Sequence, residues 1–222
     1  MMQPKEILLN LVMVACVAVA GYSVGRMPIV PSASFSPTPS TVPLPALFAS
    51  EQLDIALDGR VLRLTGEIDP DAFRRFVLVL DSGIDVRTIS LVSTGGSLDA
   101  ALSIAIVIRS RDLDTEVPAG GVCASSCPLI LASGRNRRVG DDAEVGVHQV
   151  AMDDTALEHQ TIMPPGRLGL ATGQAVTGMI AAHLRSMGVD PAIWLVGLST
   201  PPDHIRLLSR QEMWDAALIN AG

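Results

Sequence analysis

A chain of 222 residues has room for one core-bearing domain and an appendage, with one catalytic or binding domain as the default. A net charge of −7 without any basic block excludes a nucleic-acid surface, because phosphate binding relies on clustered Lys and Arg. The tightest cationic group, Arg135, Arg137 and Arg138, follows Gly134 and reads as a helix C-terminal cap or a solvated turn.

Met1 to Glu6 precede an apolar run from Ile7 to about Val24 whose one strongly polar interruption is Asn10. At about 18 residues the run can just span a bilayer. Lys5 and the amino terminus lie before it, and no Lys or Arg occurs between Arg26 and Arg60, so the positive-inside rule favours an inside N-terminus with the remainder exported. Ala18-Val19-Ala20 has the small-x-small form of a signal-peptidase site, so cleavage after Ala20 competes with retention as an anchor. Cys16 reads as a membrane-buried cysteine and not as a lipid-attachment site, with Met13 before it and apolar Val17 to Val19 after it. Residues 1–26 are therefore expected to be a signal peptide or membrane anchor, which puts the rest in the periplasm or otherwise outside the cytoplasm. Pro28 to Pro45 carry no charge and are rich in Pro, Ser and Thr, which predicts a semi-rigid linker over residues 27–46 that buries no core. The folded domain is expected over residues 47–222.

Leu53 to Leu57 and Arg60 to Leu64 alternate on either side of Asp58-Gly59, which predicts a β-hairpin. Asp69 reads as an N-cap with Pro70 at the first helical position, and Ala72, Phe73, Phe76, Val77 and Leu80 form a helical stripe ending at Gly83. Thr88 to Val92 is a β-branched apolar strand that breaks at Ser93-Thr94-Gly95-Gly96 and enters a helix from Ser97 to about Arg109. The pattern recurs with Thr115 to Val122 as a strand and Ser126 to Ser133 as a helix. Pro128 is tolerated only in a first helical turn, so that helix must begin within Ser125 to Cys127. Val145 to Val150 predicts a further strand carrying His148, followed by a polar loop over Ala151 to Arg167. Helices are expected over Leu168 to Met187, Pro191 to Leu198 and Arg210 to Leu218, with a strand at Ile205 to Leu208. Repeated strand-helix units define an α/β fold with a parallel or mixed sheet, whose ligands lie at the carboxyl ends of the strands. Gly95-Gly96 and Ser125 both fall at such ends.

A serine hydroxyl is a weak nucleophile until a base takes its proton, and the usual base is a histidine. Ser125 and Ser126 stand at a strand-to-helix elbow, where exposed N–H groups can receive an oxyanion. Gly95-Gly96 can turn another N–H toward the same place because glycine permits close approach, although Gly-Gly also serves as a plain tight turn.

Taken together, "STGGSLDAALSIA", "GVCASSCPLILASG" and "VGVHQV" resemble the proteolytic subunit of the Clp protease, within the Clp/crotonase superfamily. The similarity covers roughly Leu91 to Val150, with weaker agreement through "LLSRQEMWDAALIN" near the C-terminus. The resemblance implies a Clp/crotonase-like fold with Ser125 as nucleophile, His148 as general base, and the N–H groups of Gly96 and Ser126 as oxyanion hole. Ser126 is the rival nucleophile, but it aligns with the family's oxyanion donor. The family's aspartate should fall just before the closing strand, where Ile205 aligns; Asp203 is the nearest carboxylate and the candidate for orienting His148. His159, His183 and His204 read as surface or helix-face histidines.

The chain departs from the family at Cys123 and Cys127, which flank the serines and can form a disulfide or stand as buried thiols bracing the elbow. A metal site at these cysteines lacks the spaced His pair that would complete it, so neither metal nor cofactor is expected. The membrane segment and linker are a second departure and resemble an exported branch of the superfamily. The resulting expectation is an exported or membrane-anchored serine peptidase-like protein acting on a peptide or protein substrate. It would engage no nucleic acid, and a Clp-type assembly would make it a homo-oligomer. A membrane-tethered, non-catalytic interaction module of the same fold is the alternative. An acyl-CoA enzyme of the crotonase type is a weaker third, because the Ser-His pair is a peptidase feature and coenzyme A is not expected outside the cytoplasm.

Overall fold

The computed structural model describes residues 40–43, 52–150 and 165–221, with side chains from Gly169 onward in the last segment. The expected anchor with Cys16, most of the linker, and residues 151–164 with His159 lie outside the described residues. Among the described residues, no helix is long and apolar enough to cross a membrane.

The predicted hairpin forms from β2 (Asp54–Asp58) and β3 (Val61–Thr65), paired antiparallel with Asp58 opposite Val61. Its two-residue turn is Gly59-Arg60, one position later than Asp58-Gly59, because Gly59 is the residue that takes positive φ, +61°. The chain then enters α1 (Ala72–Leu80), two residues after the start that Asp69-Pro70 suggested. Asp69 caps a turn ahead of the helix, accepting the Asp71 N–H at 3.0 Å, and its carboxylate pairs with Arg75 at 2.6 Å.

Strand β4 (Thr88–Val92) lies parallel to β3, with Leu64 opposite Leu91, and α2 (Leu98–Ser110) follows with Ser97 as N-cap. The helices contribute Phe76, Ala101, Ile104 and Ile108 to one core with Leu62, Leu64, Ile89 and Leu91, all at 1% exposure or less. At such density, truncating Phe76 to Ala costs about 3–5 kcal/mol.

The expected single strand over Thr115 to Val122 is two strands in two sheets, β5 (Asp114–Val117) and β6 (Val122–Ala124). Pro118 has no N–H for the ladder and Gly120 takes φ +68°, so the chain turns out of the first sheet there. After the short α3 (Cys127–Leu131) comes β7 (Arg137–Val139), an element that three residues with two arginines do not announce. Arg137 is buried, not solvated. Its guanidinium donates to the carbonyls of Gly134 (2.9 Å), Ala217 (2.8 Å) and Leu218 (3.2 Å), which satisfies the charge inside the protein. Burial, with Arg109 nearby, lowers its pKa.

The first sheet therefore runs β2-β3-β4-β5-β7, parallel except at its β2 edge. Strand β8 (Glu144–Val147) is followed by α4 (Pro165–Ser186), α5 (Ala192–Leu195), a 3-10 turn at Val196–Ser199, β9 (His204–Leu207) and α6 (Arg210–Asp215). Strands β6, β8 and β9 form the second sheet, and its outer strand is β1 (Thr41–Pro43), antiparallel to β9. Those three residues belong to the stretch read as linker. Thr41 and Val42 suit an extended edge, and Pro43 is tolerated there because an edge strand leaves N–H positions unused. Residues 41–43 of that stretch therefore pair with the folded domain. The fold is mixed α/β with both parallel and antiparallel pairing.

Candidate active site

Two strand pairings bring the candidate residues together. Strands β6 and β8 run parallel with Ala124 opposite Gly146, so their carboxyl ends deliver Ser125 and His148 side by side. The Ser125 N–H continues the ladder to the Gly146 carbonyl at 3.1 Å. A side chain on Gly146 would strike Ile205 of β9, so a glycine is what lets the strands approach this closely. Beyond β4, Ser93 bridges to Cys123, receiving the Ala124 N–H at 2.9 Å and giving its own to Val122 at 2.8 Å. That bridge lays Gly95-Gly96 against the elbow.

Ser125 itself has φ +59°, a left-handed conformation that non-glycine residues adopt at an energetic penalty. Its side chain projects to His148, whose Nε2 lies 2.7 Å from the Ser125 Oγ. Ser126 points elsewhere, donating its hydroxyl to the Gly96 carbonyl at 3.2 Å, so of the two serines only Ser125 contacts the histidine. A disulfide joins Cys123 to Cys127 with Cα atoms 5.2 Å apart, both fully buried, and so staples the residues on either side of the elbow.

Gly95 and Gly96 have φ +97° and +129°. A Cβ on Gly95 would sit 2.5 Å from the Ser125 Cβ and 2.9 Å from the Ser126 nitrogen, and one on Gly96 would strike the Ile68 carbonyl. Ser93 holds the turn, its hydroxyl accepting the Gly95 N–H at 3.2 Å while donating to the Gly66 carbonyl at 2.6 Å. Among the described residues, the N–H groups of Gly96 and Ser126 have no acceptor.

His148 is 7% exposed. Burial lowers its pKa below the ordinary histidine value, offset in part by the Pro202 carbonyl. His148 Nδ1 is buried and makes no hydrogen bond among the described residues. Its neighbour Gln149 pins the strand end, giving its N–H to the Thr200 carbonyl at 3.0 Å and its side-chain amide to the Leu198 carbonyl at 2.5 Å.

The expected contact from Asp203 to His148 is not made. Asp203 is exposed on the turn before β9 and its carboxylate takes His204 Nδ1 at 2.9 Å. Adjacent residues on a solvated turn pair with each other without burying anything, whereas reaching His148 would take the carboxylate out of water. His183 is a half-buried helix-face histidine on α4, with Nε2 3.1 Å from the Leu129 carbonyl and its pKa lowered by burial. Among the described residues, no group of three or more His, Cys, Asp or Glu is disposed to hold a metal ion.

Three roles are not stated by the residues alone: the Ser93 hydroxyl that holds the turn, the bare Gly146, and the tie from Ser126 to Gly96. A serine two residues before Gly-Gly at a strand end is a recognisable signal for a turn-holding hydroxyl; Gly146 and the Ser126 tie depend on cross-strand register.

Fold and site together define a mixed α/β domain with a hydrogen-bonded serine-histidine pair at adjacent strand ends. No protein-family model matches this sequence, and none of the curated proteins does.

Proposed function

We propose that the protein is a serine peptidase of Clp/crotonase-like fold that hydrolyses peptide bonds outside the cytoplasm through an acyl-enzyme. The observation that carries this reading is the 2.7 Å approach of His148 Nε2 to the Ser125 Oγ on a left-handed elbow. His148 Nε2 takes the hydroxyl proton as Oγ attacks the scissile carbonyl carbon. The carbonyl oxygen becomes an oxyanion that the N–H groups of Gly96 and Ser126, without an acceptor among the described residues, receive. The imidazolium then gives its proton to the leaving amine, the C–N bond breaks, and a water deprotonated by His148 hydrolyses the ester. A lowered histidine pKa suits this role, since the base must be neutral when the substrate arrives.

A buried disulfide at the elbow fits an oxidising compartment, which agrees with an N-terminal segment that exports or anchors the domain. A homo-oligomer is part of this reading through the resemblance to the Clp subunit. A second reading, a membrane-tethered module without catalysis, is favoured by one observation: no carboxylate holds His148 Nδ1 among the described residues. Incubating the full-length chain with a complex peptide mixture and reading cleavage by mass spectrometry separates the two. The peptidase reading expects cleavages that vanish in Ser125→Ala; identical patterns for wild type and Ser125→Ala would leave the module.

A further inference from the structure

We propose that the Ser126 hydroxyl is a positioning group for the oxyanion hole, an inference that rests on the peptidase reading above. Successive peptides of the Gly95–Ser97 segment face opposite ways. The Gly95 carbonyl accepts the Ile68 N–H at 2.7 Å, and the Ser97 N–H returns to the Ile68 carbonyl at 2.6 Å. In a planar trans peptide the N–H points opposite to the C=O, so the Gly96 N–H is directed away from Ile68. The side it faces is the one where Ser126 hydrogen-bonds the Gly96 carbonyl at 3.2 Å.

Gly96 thus presents both a donor and an acceptor toward the elbow. The donor is wanted there and the acceptor is not, because an unengaged carbonyl beside a developing oxyanion repels it. Donation by Ser126 engages that carbonyl. The same residue supplies the second N–H that has no acceptor among the described residues, so one side chain fixes the spacing between the two donors. Ser126 is 4% exposed, and among the described residues its hydroxyl makes no hydrogen bond but this tie. Ser126 is therefore a positioning residue acting through Gly96, distinct from the nucleophile beside it.

The test is the rate at which a fluorophosphonate modifies Ser125 in the full-length chain, measured against pH for wild type, Ser126→Ala and Ser126→Thr. The phosphoryl oxygen of that reagent enters the same hole as a substrate oxyanion. Ser126→Ala is expected to lower the plateau rate by roughly tenfold, part of the hundredfold or more that losing a whole donor brings, with the pH midpoint unmoved. Ser126→Thr, which keeps the hydroxyl, is expected to recover most of the rate. A folded Ser126→Ala protein reacting at the wild-type rate overturns the inference while leaving Ser125 activated, and so does a loss caused by a shifted midpoint. No reaction of folded wild type defeats the peptidase reading itself, and the inference with it.

Discussion

Replacing Gly95 by alanine perturbs the contact on which the site's assembly depends. The added Cβ would lie 2.5 Å from the Ser125 Cβ, 2.8 Å from the Ala124 carbonyl oxygen and 2.9 Å from the Ser126 nitrogen. Nonbonded carbons settle at about 3.5–4.0 Å, so the Gly-Gly turn and the elbow must separate by roughly 1 Å. None of the three neighbours is the end of a flexible chain; two are backbone and the third is the root of the nucleophile. The native φ of +97° adds strain of its own for any residue with a side chain. Strain of about 1–3 kcal/mol and overpacking of about 1–3 kcal/mol together give a destabilisation of about 2–6 kcal/mol. Misplacing the hole by about 1 Å relative to Ser125 should slow fluorophosphonate labelling by about a hundredfold. Urea unfolding followed by fluorescence of the buried Trp194 measures the first quantity, and the labelling rate measures the second. A Gly95→Ala protein with wild-type midpoint and wild-type labelling would refute the packing of this turn on the elbow.

Labelling should rise with pH through a midpoint below 6.5, because burial lowers the pKa of the histidine that must be neutral to act. The depressed histidines His148 and His183 also make the unfolded chain bind more protons than the folded one between their folded values and about 6.5, so stability should fall as pH drops through that window. Unfolding midpoints taken from pH 7.5 to 5 check this, and a flat profile contradicts it. Cys123→Ala combined with Cys127→Ala should destabilise the chain by roughly 2 kcal/mol, the chain-entropy value for so short a loop, with slower labelling as the elbow relaxes. Asp203→Ala should label within about twofold of wild type, since its carboxylate serves His204; a loss on the order of a thousandfold, the scale of removing a triad member, would return Asp203 to the site. Asp69, held at about 2 by its bond to Arg75, should contribute stability that is present above its ordinary value of 3.8 and lost as pH falls through about 2. Acid unfolding of Asp69→Asn, flatter than wild type over that range, would show it.

The elements with strong periodicity were readable from the residues. Thr88–Val92 has the predicted bounds, α2 begins one residue after the predicted Ser97, and Pro128 fixed the start of α3 to within the predicted three residues. Ser125 and His148 were legible because a strand-to-helix elbow and a strand end each have a local signature. Register has none. Which sheet receives β6, and hence why Gly146 must lack a side chain, is decided by pairing between segments more than 20 residues apart. Arg137 misled for a related reason: its charge reads as surface, and the carbonyls that satisfy it come mostly from a segment some 80 residues away. Strand β1 was hidden by composition, since Pro and Ser predict a linker unless a partner edge is known to be waiting. Asp203, two residues before the aligned Ile205, was the nearest carboxylate along the chain, but its partner is the adjacent His204.

The central claim is that Ser125 is activated by His148. The most direct measurement exposes the full-length chain to a fluorophosphonate and maps the adduct by mass spectrometry in wild type, Ser125→Ala and His148→Ala. The account predicts one phosphonylated residue, Ser125, in wild type, and no adduct in either variant. Folded wild-type protein without an adduct, or an adduct that persists undiminished in His148→Ala, would contradict it.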